Sequence, residues 1–167
     1  MITLILTTDE ATKVLATITG NLENLTPVME QARDVLMASV KENFVQGGRP
    51  TPWAPLRPPR TGIPLVGSRG LLNSITAEVT PTSVTLQSDL PYSAIHQYGG
   101  TISVPERVAA PHHAFRFVTA AGETVFARRI KAHSVVIPAR PYLVSQQSDE
   151  DALVAIAEQH VVKGVQP

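Results

Sequence analysis

The stretch Asp89 to Gly100, DLPYSAIHQYGG, decides how the rest of the chain is read. A proline opens it, apolar and aromatic residues run through it, and a double glycine closes it, so an ordered segment ends in a turn that needs unusual backbone angles. Its counterpart is Ile137 to Leu143, IPARPYL, in which two prolines flank Arg140 and hold the backbone at a nearly fixed angle. Tyr92 to Tyr98 reads as a short strand or a helical turn, and Gly99-Gly100 then releases the chain into a strand, Ile102 to Val104. Neither stretch carries an active-site signature. Both describe a shaped scaffold.

On the N-terminal side, Ile2, Leu4 and Leu6 alternate with Thr3 and Ile5, the pattern of a strand with one buried face. Thr7 and Glu10 have the spacing of a capping box, and Ala11, Val14, Leu15, Ile18 and Leu22 then recur at helical spacing, which predicts a short helix ending near Gly20. Thr26-Pro27 is a second start signal. Val28, Ala32, Leu36, Val40 and Phe44 follow at about 3.6-residue spacing until Gly47-Gly48, which makes this the longest helix and the main one against the sheet.

From Gln46 to about Ser68 periodicity disappears, and six of the 14 prolines fall there, at positions 50, 52, 55, 58, 59 and 64. A connection this long without elements of its own is usually functional. Proline reduces the entropy lost when such an arm is ordered on a neighbour. Trp53, the only tryptophan, has two destinations: anchor on a partner, because a large ring buries much area for few rotors, or return to its own core. Arg49, Arg57, Arg60 and Arg69 make the arm basic.

Beyond the arm, Ile75, Ala77 and Val79, then Val84 and Leu86, flank Pro81-Thr82-Ser83 and predict a hairpin. Ala114 to Thr119 and Thr124 to Ile130 predict a second, with Phe115, Phe117 and Phe126 supporting it from one side. Arg116, Arg128, Arg129 and Lys131 cluster on or near it and form a candidate DNA-channel or acidic-partner patch; a solvated hairpin is the plainer reading. Val135 to Ile137 is a last strand entering the proline elbow. Ser148 with Asp151 predicts the cap of a final helix, whose stripe is Leu153, Ile156, Ala157, His160 and Val161.

The hydrophobic share is 43% against 17% charged, in 167 residues, which describes a single folded domain with a real core. Formal net charge is zero but unevenly spread. Met1 to Glu42 holds three basic and six acidic residues, Asn43 to Arg140 ten and four, Pro141 to Pro167 one and four. A basic middle between acidic ends suits head-to-tail contact between copies, or a basic surface facing DNA; the plainer reading is that helices carry the acids. There are no cysteines, so disulfides and thiolate metal sites are excluded. No secretion signal and no apolar run of roughly 18 residues is present, so a soluble chain with no membrane partner is expected. The five histidines have no zinc spacing, and there is no G-x-S-x-G, phosphate loop or dinucleotide fingerprint. No metal, cofactor or enzyme activity is expected, and His96 reads as a structural histidine bonded to backbone.

Four pieces in order, Gly47 to Leu56, Arg69 to Ile75 (RGLLNSI), Pro91 to Gly100 and Ile137 to Leu143, resemble the tailed-phage virion morphogenesis, or tail completion, family. The resemblance runs from about Thr26 to the final helix and departs at Pro105 to His113, where no clear strand is seen. It implies a structural virion protein at the neck that completes the tail and joins it to the head, as a ring of copies, six as the first guess. Its partners would then be itself, the tail tube and head-connector proteins, with DNA passing without sequence specificity. The candidate interface residues are Trp53, Leu56, Tyr92, His96, Tyr98, Arg140 and Tyr142. A nucleic-acid-binding module using the basic hairpin is the alternative. The expected fold is α+β: an antiparallel sheet built from hairpins, packed by the long helix and the C-terminal helix, with residues 46–68 as a proline-rich arm and 114–131 as the basic hairpin.

Overall fold

A computed structural model describes residues 9–58, 60–119 and 121–165. The strand expected at Ile2 to Leu6 and the Thr7 half of its capping box lie outside them. The fold is α+β, as expected, with five helices and eight short strands among the described residues. The strands form four separate two-stranded ladders. The chain divides into two compact units that interleave in sequence. All eight aromatic residues fall in the second.

The first unit comprises Met1–Ser39, Thr76–Gln87 and Ser145–Pro167. Helix α1 spans Asp9–Glu23 and runs through Gly20, three residues past the expected stop. Its extra turn is held by tertiary caps that outweigh the glycine, which costs a helix about 1 kcal/mol. The Nε2–H of His160, on the last helix, donates to the carbonyls of Asn21 (2.9 Å) and Asn24 (3.0 Å). Asn21 Nδ2 in return donates to the carbonyls of Val161 (3.0 Å) and Lys163 (2.9 Å). Each helix end thus supplies donors for carbonyls the other leaves free.

Helix α2 is Thr26–Gln46, and its start differs in mechanism from the expectation. The Val28 and Met29 N–H groups, which a Thr26 hydroxyl cap would have taken, donate instead to the Leu25 carbonyl (both 3.0 Å), and Asn24 Oδ1 accepts the Thr26 N–H at 3.2 Å. Helix α5, Gln147–Val161, begins earlier than the Ser148 signal suggests. Gln146 and Asp149 form the capping box, and Asp149 is buried because its carboxylate also accepts the Ser39 hydroxyl of α2. Strands β1 (Ile75–Val79) and β2 (Val84–Ser88) pair as expected, with the Thr80 side chain organising the turn through the Ser83 N–H (3.0 Å).

The second unit comprises Val40–Ile75 and Ser88–Val144. Its core is aromatic: Phe44 meets Trp53 edge-on at 5.5 Å and Tyr142 at 5.6 Å. Gly48 makes this possible, since at φ +108° a Cβ would sit 2.6 Å from Trp53 Cδ1 and 2.8 Å from the Thr51 carbonyl oxygen. Short helices α3 (Gly70–Asn73) and α4 (Ser93–Tyr98) follow. Of the two readings open for Tyr92 to Tyr98, the helical one is therefore observed.

Strand β3 (Gly100–Val104) pairs antiparallel with β8 (His133–Ile137), Gly100 opposite Ile137. Two residues of the stretch without a clear strand, Arg107–Val108, form β4 and pair with β7, Arg129–Ile130. β5 (Phe115–Val118) and β6 (Thr124–Ala127) make the second hairpin. Phe126 lies opposite Arg116 in that register, so it points away from Phe115 and Phe117 instead of joining them on one side.

Candidate functional site

The two stretches that organise the sequence meet in the second unit. Pro138 and Pro141 have no N–H, and three of the elbow's other amides bond to α4. Arg140 N–H donates to the His96 carbonyl at 2.8 Å, and the Tyr142 and Leu143 N–H groups share Gln97 Oε1 at 2.9 and 3.1 Å. The elbow's carbonyls are taken from the other side. Trp53 Nε1–H donates to Pro141 (2.8 Å), Gln97 Nε2 to Leu143 (3.3 Å), and Asn43 Nδ2 to both Tyr142 (3.0 Å) and Val144 (3.1 Å). Asn43 is 0% exposed, and its Oδ1 accepts Arg49 Nε at 2.9 Å. A segment barred from sheet and helix by its prolines is thus satisfied by side chains.

Arg140 is buried and points inward. Its Nε donates to the Ala54 carbonyl at 2.9 Å and its guanidinium reaches the Pro55 carbonyl at 3.3 Å, which fastens the proline-rich arm to the elbow. Burial lowers its pKa from the usual arginine range. Tyr142 is buried too, and its phenol, pushed upward by burial, donates to the Ser93 carbonyl. Trp53 takes the inward of its two destinations. These three proposed interface residues therefore shape the surface from below.

The remaining four lie nearer solvent. Tyr98 is 80% exposed, Tyr92 is exposed, and Leu56 and His96 are partly buried. The His96 ring lies edge-on to Tyr92 at 5.8 Å. Its backbone N–H and carbonyl are bonded, but its ring is not held to backbone as expected of a structural histidine: ring atom Nδ1 is buried with no hydrogen-bond partner. Burial, and then the charge of Arg140, lowers its pKa below the ordinary histidine value, so the ring is neutral at neutral pH.

Between the arm and β8 runs a groove of about 710 Å³, floored by Val135, Val136 and Ile137 and walled by Pro55, Leu56, Pro58 and Leu65. Its charged lining is Arg57, Arg60 and Arg140, with no carboxylate. In the basic patch, Arg129 pairs with Glu106 at 2.8 Å, whereas Arg116, Arg128 and Lys131 are exposed without an ion pair among the described residues. Arg107, absent from the expected patch, lies over the Phe115 ring at 5.2 Å. Among the described residues no three His, Asp or Glu side chains gather where they could hold a metal. No described helix is long and apolar enough to cross a membrane.

Asn43 and Gln97, which hold the elbow, were not singled out by sequence reasoning. The available signal was a polar residue inside the apolar stripe of α2 and an amide side chain between His96 and Tyr98.

The chain belongs to the phage virion morphogenesis family, whose model matches residues 6–162. It is also 34% identical over 110 residues to the Mu-like prophage FluMu G protein 2 of Haemophilus influenzae, covering 66% of this chain and 78% of that one. No solved structure gives a significant match.

Proposed function

We propose that this protein is a ring-forming subunit at the upper end of a phage tail, where it completes the tail and joins it to the head without catalysing a reaction. The family membership supports a structural role in building the virion. The observation that carries the finer reading is the β5–β6 hairpin. A two-stranded hairpin is marginal alone, and this one leaves Phe117 and Val125 exposed on one face and Phe126 (69%) and Val118 on the other. Such a hairpin is completed by another molecule. A ring of identical subunits supplies it, because each copy presents two different complementary faces. The partners on this reading are copies of the chain itself, six as the first guess, together with tail-tube and head-connector proteins.

The unpaired cations Arg116, Arg128 and Lys131 favour a second reading, a nucleic-acid-binding module. Light scattering of the purified protein at low and high salt, beside titration of a random DNA duplex, separates the two. A discrete oligomer that forms without DNA supports the ring. A monomer that binds duplex at low salt and releases it at high salt supports the module and overturns the ring.

A further inference from the structure

We propose that the groove between the proline-rich arm and β8 receives the outer face of helix α5 from a second copy of this chain. The inference rests on the ring reading and specifies which surfaces meet. The groove carries exposed Arg57 and Arg60 at its arm side, with no ion pair among the described residues. Proline content keeps the arm from zipping onto β8, because prolines have no N–H to donate to a strand edge, so the groove stays open and apolar at its floor.

Helix α5 has the complementary character. Glu150, Val154 and Glu158 recur every four residues on one face, flanked by Asp151 and Ala155, and all five are exposed. Val154 is 58% exposed, and Val162, just past the end of the helix, 57%, while the partners on the other side of the helix, Asn21 and Ser39, are already in place. α5 contains no lysine or arginine, and its only basic residue, His160, is bonded to α1 carbonyls. Glu150 and Glu158 stand about 12 Å apart along the axis at 1.5 Å per residue, with the valine between them. An apolar ridge edged by carboxylates thus matches an apolar groove edged by guanidinium groups. Since each copy has one of each, the contact is head-to-tail and passes from copy to copy.

The test is a charge exchange in the full-length protein, read as mass by light scattering over a concentration series. Wild type is expected to form a discrete oligomer. Arg57→Glu with Arg60→Glu, and separately Glu150→Arg with Glu158→Arg, should each weaken association at least 100-fold. The four changes together should restore it, which a mere folding defect would not allow. Oligomers that persist in both double variants, or a folded quadruple variant that stays monomeric, overturn this docking while leaving the ring reading in place. A wild type that stays monomeric at every concentration overturns both.

Discussion

Replacing Asn43 tests whether the proline elbow is held by side-chain hydrogen bonds. In Asn43→Ala the carbonyls of Tyr142 and Val144 lose their donor and Arg49 Nε loses an acceptor. An orphaned buried polar group costs about 1–3 kcal/mol, and with some relaxation the three together should cost about 3–5 kcal/mol. For a chain of this size that corresponds to a melting temperature lower by roughly 10 °C. Asn43→Asp keeps the shape and the acceptor for Arg49 but turns an oxygen toward two carbonyl oxygens, so it should be no more stable than the alanine variant. Thermal melts followed by Trp53 fluorescence measure both, because that indole bonds to the same elbow. An alanine variant melting within about 2 °C of wild type would refute the reasoning, and so would an aspartate variant of wild-type stability.

Three further outcomes follow from local geometry. Gly48→Ala drives a Cβ into Trp53 and the Thr51 carbonyl and should cost more than about 2 kcal/mol, whereas Gly62→Ala, also at positive φ but in open space, should cost about 1 kcal/mol; urea titrations of the pair separate clash from backbone strain. Because the His96 pKa is depressed in the folded state, the unfolded chain takes up that proton first. Stability from this group is complete above the ordinary value of 6.5 and falls as pH drops from there toward the folded pKa, and His96→Gln should lessen the loss of melting temperature between pH 7 and 5. Asn21→Ala removes two donors from the end of α5 and should cost about 1 kcal/mol, with faster amide hydrogen exchange confined to the α1 and α5 ends.

The α2 helix was legible because its stripe and its Gly47-Gly48 stop are local facts, and both hairpins were legible from alternation around turn residues. The ends of α1 and α5 were not, since they are set by partners far along the chain: His160 for Asn21 and Asn24, and Ser39 for Asp149. Gln146-x-x-Asp149 and Ser148-x-x-Asp151 are comparable capping signals, and only the buried Ser39 contact distinguishes them. The link between DLPYSAIHQYGG and IPARPYL was visible as two stretches of unusual backbone, but what joins them was not. Gln97 and Asn43 act on backbone 45 to 101 residues away, and no periodicity records that. Trp53 had two destinations because its size suits either a partner or a core; the Pro141 carbonyl, 88 residues away, and the Phe44 ring decide for the core.

With every phenylalanine, tyrosine and tryptophan in the second unit, the first is optically silent in the near ultraviolet. Absorbance at 280 nm, near-ultraviolet dichroism and intrinsic fluorescence watch the second unit only. Loosening of α1 against α5 would leave all three signals unchanged while far-ultraviolet dichroism fell. An aromatic substituted at exposed Leu15 would give the silent unit a voice of its own, and would let one cuvette tell whether the two units lose their order together.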